Sequence, residues 1–496
     1  MNPLVTGVAR ATVVAAAGVG LVLGAAQVQG ALAVGPAPAA VDTARSATDA
    51  VRGSAVACPG PELEGVEGLD DVQVTPRVAA ASAPLRTLTG TTPSATPGSL
   101  VLTRLPGAAA GAPVTDRAAI ATTDLTAVTG ALVTATQSLA PGLAATQSWL
   151  RPTGDRRALV SAPCTAAAAE SWILAGGGAP GRQERLVLTN PGGNPVTVDV
   201  TLHGPDGAVA TSQGKGLVVP ARGRTAFLLD SISGDLTAPV VHVVAEGGVV
   251  SAVVNDLWLD GTRSAGSDDA VPAADPSRDQ VVPAVQVDGA AVLRVAVPGD
   301  GEAVVQARVL TRQGPRALPT GGVTRIDGGQ VRDIDLSKLP KDVVAIQVRA
   351  DVPVVAGALV TRGVAPALGD LAWTSSTPPV TGVAGMPLVD PAGAAKPLAR
   401  QLALTATGAP AGVEVVTVDA RGEQKSVRLT VPEDSTVAVD ATGSRSVWVH
   451  RTSGTGELHA GVVSTLTDAS GTLVTTTPLR DTALRTTTVG LREVRR

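Results

Sequence analysis

The sequence has no tyrosine, one phenylalanine (Phe227), two cysteines and four histidines among 496 residues. With aromatics at 1%, it holds few of the rings that line carbohydrate clefts and other small-molecule sites. A catalytic zinc centre takes three protein ligands. His203, His242, His450 and His459 are spread over more than two hundred residues. His450 and His459 fall on the two arms of an expected hairpin, and two imidazoles without a third ligand make a poor zinc site. No GxSxG elbow offers a serine nucleophile. The glycine-rich AGGGAPGR (residues 175–182) departs from the GxxxxGK[ST] pattern and precedes a strand, so no helix N-terminus is there to hold phosphate. GSDDA and DPSRD lack the spacing of a calcium loop. The net charge of −4 is spread along the chain with no Lys/Arg stripe, which excludes nucleic acid as a partner. The expectation is a protein that is not an enzyme, with no catalytic residues, no metal and no cofactor. Carboxylates drawn together from distant strands leave a glycan-active enzyme as the least favoured alternative.

The N-terminus does carry a signal. Behind Arg10 runs ATVVAAAGVGLVLGAA (residues 11–26), uncharged and apolar, and Ala31-Leu32-Ala33 matches an A-x-A cleavage site. Residues 1–35 fit both a cleaved signal peptide and an uncleaved membrane anchor. Either one places the rest of the chain outside the cytoplasm, secreted or held at the membrane. Residues 36–57 then read as an Ala/Pro-rich linker. In an exported chain an isolated cysteine pair usually bridges, so Cys58 and Cys164 are expected as a disulfide, with two buried free thiols as the alternative.

Beyond the linker the pattern is all-β. Residues 58–170 contain short strand-like runs punctuated by Gly, Pro and Asp, an N-terminal β-rich domain. In VTVDVTLHG, Val196, Val198, Val200 and Leu202 alternate with Thr197, Asp199 and Thr201. Period two marks a strand with one buried face. NPGGN and GPDG flank it as turns. The pattern returns with Ala303, Val305, Ala307 and Val309 inside and Gln306 and Arg308 outside, ending in TRQG. It returns again with Val413, Val415 and Thr417 inside and Glu414 outside, ending in DARG. Each copy continues through two further strands expected to form a hairpin. The repeat, roughly a hundred residues, suits tandem immunoglobulin-like β-sandwiches and is too long for single propeller blades. The copies are placed at residues 171–261, 281–373 and 398–496, the last with a C-terminal tail. Proline-containing spacers at 262–280 and 374–397 would separate them into a rod or arc.

The segments ACPGPE, GLAATQSWLRPTGDRRALVSAPC and SWILAGGGAPGRQERLVLTNPGG resemble an uncharacterised family of actinobacterial exported proteins, a domain of unknown function often encoded beside a family 2 glycosyltransferase. The resemblance implies location and architecture and transfers no catalytic residue. Trp258 in NDLW and Trp373 in GDLAW sit at matching ends of two copies. They are candidates for a sugar- or partner-binding platform, or for plugs packed at the copy junctions. The functional expectation is an extracytoplasmic cell-envelope scaffold or binding module with a protein partner. Cell-wall glycan is the alternative ligand. The N-terminal segment would give membrane attachment if it stays uncleaved.

Overall fold

The structure is a computed structural model that describes residues 47–62, 74–125, 129–209, 212–234, 236–362 and 369–488. The leader at residues 1–35 lies outside the described residues. Residues 47–49 and 487–488 fall in a second, small unit. The strand β1 (Ala47–Ala50) pairs with the strand Arg485–Thr488. Everything from Ala50 to Thr486 forms one compact unit, and it is nearly all β.

That unit contains four two-sheet sandwiches. The first comprises β2 (Gly53–Cys58), β3 (Arg77–Ser82), β4 (Leu100–Leu105), β5 (Ala121–Asp124), β6 (Gly130–Thr136), β7 (Leu143–Arg151) and β8 (Ala158–Pro163). The second comprises β9 (Glu170–Leu174), β10 (Arg182–Asn190), β11 (Val196–Gly204), β12 (Gly207–Val209), β13 (Leu217–Val219), β14 (Gly223–Leu228), β15 (Val240–Glu246), β16 (Ser251–Asp260) and β17 (Arg263–Ala270). The third comprises β18 (Ser277–Val287), β19 (Ala290–Ala296), β20 (Ala303–Thr311), β21 (Gly314–Ala317), β22 (Val323–Ile326), β23 (Val331–Asp335), β24 (Asp342–Arg362) and β25 (Asp370–Ser375). The fourth comprises β26 (Val383–Pro387), β27 (Ala399–Thr407), β28 (Ala411–Val418), β29 (Gln424–Val431), β30 (Ser435–Asp440), β31 (Ser446–Gly454), β32 (Glu457–Asp468) and β33 (Gly471–Leu479). The C-terminal strand Arg485–Thr488 is β34.

All four share one strand order. The second has sheets β12-β11-β15-β9 and β14-β10-β16-β17, and the fourth repeats this as β29-β28-β31-β26 and β30-β27-β32-β33. The first follows the same order with one strand fewer, β4-β6-β2 and β5-β3-β7-β8. In the third, β24 serves both sheets. The N-terminal β-rich domain is thus a fourth copy, hidden in sequence because alanine replaces most of the valines. The order also departs from the immunoglobulin constant pattern, with ABED on one sheet and CFG on the other. Here the first strand of each unit joins the C–F sheet, and the penultimate strand joins the B–E sheet. Alternation fixes which face is buried and says nothing about which strand lies alongside.

The alternating strands bury the expected faces. Val196, Val198, Val200 and Leu202 lie in the second core, and Ala303, Val305, Ala307 and Val309 in the third. Val413 and Val415 lie in the fourth core. The turn glycines Gly207, Gly314 and Gly422 all have positive φ, at 109°, 104° and 81°, which a side chain would strain. Glu414 departs from expectation. Its face of β28 is covered by the first sandwich, so the carboxylate is buried and paired with Arg86 at 2.6 Å.

Both expected spacers contain strands. Residues 262–280 hold β17 and the start of β18, and residues 374–397 hold the end of β25 and all of β26. Residues 47–57, expected as linker, form β1 and most of β2. The hairpin expected within residues 343–362 is one continuous strand, β24. The other copies turn at EGG and SGTG, whereas here RADVP offers no glycine, and the chain bends from one sheet to the other. The sandwiches also do not string out. The closing strands β8, β17, β25 and β33 pack in a circuit: β8 on β17, β17 on β25, β25 on β33 and β33 on β8.

Candidate functional site

Each closing strand is the outer edge of its sheet, with backbone groups that its own sheet leaves unpaired. Side chains from neighbouring units satisfy several of them. Trp373 N–H on β25 donates to Asp268 Oδ2 on β17 at 2.7 Å. Val474 N–H on β33 donates to Asp370 Oδ2 on β25 at 2.7 Å. Ser161 N–H on β8 donates to Thr475 Oγ1 on β33 at 3.0 Å. Between the remaining pair, Ser264 Oγ on β17 donates to the Arg157 carbonyl beside β8 at 2.9 Å. Close approach requires small residues. A Cβ on Gly266 would stand 2.3 Å from Leu371 N.

The two candidate tryptophans lie beside this circuit and are linked through Arg182 and Asp256. On β10 and β16, Arg182 pairs in register with Trp258 and Glu184 with Asp256. Arg182 grips Asp256 with both arms, Nε to Oδ1 at 2.8 Å and Nη2 to Oδ2 at 2.5 Å. Its guanidinium lies 5.4 Å from the Trp258 ring centre. Trp373 reaches in from the third sandwich and donates Nε1–H to Asp256 Oδ2 at 2.7 Å. Its ring belongs to the second sandwich's core, 2% exposed, with the Arg294 guanidinium 5.2 Å from its centre. Arg294 in turn pairs with Asp333 at 2.8 Å and donates to the carbonyls of Gly176 and Pro239. Trp373 is therefore a junction plug, and half-buried Trp258 has a cation against its face.

One guanidinium faces two carboxylates here. Burial, then the Asp256 charge, pushes the Glu184 carboxyl up to about 8. Burial thus weakens the charge on Glu184, which lies 3.5 Å from the Arg182 guanidinium that Asp256 already holds with both oxygens. Its Oε1 accepts from Gly177 N–H at 2.7 Å, so the AGGGAPGR loop serves a buried acid rather than a phosphate.

Three further acids lie buried around the circuit. Asp269 accepts from Gln147 Nε2 at 2.6 Å and Asn255 Nδ2 at 3.0 Å, and burial pushes it up to about 7. Burial raises Asp268 and Asp370 well above the ordinary carboxylate range. These acids went unrecognised in the sequence because GSDDA and GDLAW carry no spacing that marks a buried edge strand. Among the described residues, no group of three or more His, Cys, Asp or Glu side chains could hold a metal ion.

The histidines are dispersed. His242 stacks on Trp172 at 3.9 Å between ring centres and meets Glu170 Oε1 at 2.8 Å, and His203 contacts the Gly329 carbonyl at 3.0 Å. His450 and His459 do not share a hairpin. β31 and β32 lie in opposite sheets of the fourth sandwich, joined by a turn that passes from one sheet to the other. His450 lies 3.5 Å from Glu414, and His459 faces Thr377 at 3.2 Å.

Cys58 and Cys164 form a disulfide. It ties β2 to the residue after β8, closing the first sandwich where the chain enters and leaves it. The adjoining PGPE is held from the second sandwich, where Arg224 donates to the carbonyls of Pro59 and Pro61 at 2.6 Å and to Glu62 at 2.5 Å. Arg157 likewise joins the first sandwich to the fourth through Asp468 at 2.7 Å. Among the described residues, no helix is long and apolar enough to cross a membrane.

No curated protein matches the chain. Among solved structures, the crystal structure of Thermotoga maritima 1070 is 19% identical over 20% of this chain and 93% of that one, with a TM-score of 0.18. The Streptomyces avermitilis alpha-L-rhamnosidase complexed with L-rhamnose is 10% identical over 86% of this chain and 57% of that one, with a TM-score of 0.13. Neither superposes closely enough to assign a fold or an activity. A family model matches residues 119–442, from within the first sandwich to within the fourth, and the chain belongs to that family, a family of unknown function (DUF5719).

Proposed function

We propose that this protein is a non-enzymatic, extracytoplasmic scaffold of the cell envelope that works through contacts with other proteins. One observation carries the reading. The four sandwiches are locked edge to edge, and the junctions themselves consume the reactive side chains there. Arg182, Asp256, Trp373 and Arg294 hold one another, and Asp268 and Asp370 hold backbone amides. What remains for a partner is a rigid body with outer sheet faces on four similar units. Placement outside the cytoplasm is supported by the leader-like residues 11–35 and by the disulfide, a bond that persists in oxidising compartments. The glycan alternative loses much of its motive, because buried Trp373 has no face to offer a sugar.

The test is affinity capture of the tagged full chain from envelope extracts after crosslinking in intact cells. Specific enrichment of one or a few envelope proteins is expected. Catalytic turnover of an envelope substrate by the purified chain, or retention of protease-resistant polysaccharide with no protein partner, would overturn the proposal.

A further inference from the structure

A second feature stands apart from these junctions. A cavity of about 360 Å³ opens between the third and fourth sandwiches, beside the segment that joins β17 to β18 and where the chain leaves β25 and β33. The volume is at the small end of ligand pockets. Its walls carry groups of both charge signs that the protein leaves unsatisfied.

On one side are two nitrogens. His459 is 3% exposed, and its Nε2 has no hydrogen-bond partner. When Thr377 Oγ1 donates to Nδ1, 3.2 Å away, Nε2 carries the hydrogen and serves as a donor. Arg480 donates Nη2–H to the Pro272 carbonyl, while its buried Nε–H has no partner. Most of the buried arginines here contact a carboxylate, as Arg182, Arg294 and Arg400 do. Arg480 makes no contact ion pair among the described residues. Burial holds the Arg480 guanidinium below its ordinary range, and the Asp275 carboxylate across the cavity opposes this only in part, without touching it.

On the other side are acids. Asp279 is engaged by Gln347 and Arg349. The carboxylates of Asp275 and Glu457 take no hydrogen bond and no contact ion pair among the described residues. A bare anion would meet this acidic wall, and a bare cation would meet Arg480.

We propose that this cavity binds a small zwitterion of the amino-acid class, its carboxylate on Arg480 Nε and His459 Nε2 and its ammonium between Asp275 and Glu457. The site goes beyond the scaffold reading and does not depend on it. It gives the junction of the third and fourth sandwiches a ligand that would tie them further.

The separation between the two charges should select chain length. The test is calorimetric titration of the full chain with glycine, β-alanine, 4-aminobutyrate and 6-aminohexanoate, with acetate and methylamine as single-charge controls. One length is expected to bind saturably and at least about tenfold more tightly than either control. Arg480→Gln should weaken that ligand by at least about tenfold. Glu457 lies at the exposed rim, so Glu457→Gln leaves the fold intact, and it should weaken the amino acid while leaving acetate unchanged. Absence of saturable binding by every member of the series would overturn the site. Equal binding of acetate and the best amino acid, or an unaltered affinity in Glu457→Gln, would overturn the zwitterion.

Discussion

Trp373 belongs to the third sandwich, yet its indole N–H donates at 2.7 Å to Asp256 of the second. The bond is buried, and it places a side chain of one unit inside the core of another. Trp373→Phe keeps most of the ring volume and removes the donor from Asp256. The expected loss is about 1–3 kcal/mol, the cost of leaving a buried acceptor short of a partner. Chemical denaturation followed by circular dichroism measures it. An unchanged midpoint would show that the junction does not depend on this bond.

Glu184 gives a pH signature. Its carboxyl is raised to about 8 by burial and by Asp256, against an unfolded value in the ordinary glutamate range near 4.3. A raised acid binds its proton more tightly when folded. Its contribution is therefore full below about pH 4 and is lost as pH climbs toward 8. Glu184→Gln keeps the acceptor for Gly177 N–H and cannot ionise. The variant should be close to wild type near pH 5 and more stable than wild type above pH 8, by on the order of a few kcal/mol at most. Unfolding midpoints at the two pH values decide it. A difference that stays constant with pH would refute the assignment.

The disulfide closes a loop with a sequence separation of 106. The chain-entropy model gives about 5 kcal/mol for a loop of that length. Cys58→Ser with Cys164→Ser should lower the unfolding free energy by roughly that amount, less whatever structure the unfolded chain retains. Native wild-type protein should resist thiol labelling until it is reduced.

Much of the architecture was legible, for reasons visible in particular residues. Val196 to Leu202 and Ala303 to Val309 announced their buried faces, and the glycines ending GPDG, TRQG and DARG announced their turns. The contacts between units were not legible. RSAGSDDA looks like a spacer because it lacks branched apolar residues. It is the strand β17, made of small and acidic residues because neighbouring strands approach it closely and it must satisfy their amides. Glu414 obeyed the alternation and was buried all the same, since period two does not say whether solvent or another sandwich covers a face. The segments that carry the family resemblance prove to be junction pieces: PGPE under Arg224, Arg157 on Asp468, and the glycine loop under Arg294. Their role became visible only once the partner units were in place.

The circuit can be tested at Asp370. Its Oδ2 accepts from Val474 N–H, its Oδ1 has no partner, and burial holds its carboxyl well above the usual range. A neutral side chain with one good acceptor is what this position needs, so Asp370→Asn should be tolerated near neutral pH. Asp370→Ala leaves the Val474 amide buried and unpaired, at a cost of about 1–3 kcal/mol. The pH dependence follows the same sign as for Glu184. Stability that the wild type holds below about pH 4 is lost as pH rises above the ordinary carboxylate range, and the asparagine variant should lack that slope. Urea unfolding of the three proteins at pH 5 and pH 8 separates the cases. If alanine and asparagine proved equally stable at both, the bond from β25 to β33 would contribute nothing to the closure of the circuit. The fourth sandwich would then be held to the third by apolar packing and by other polar contacts such as the Arg308–Asp434 pair.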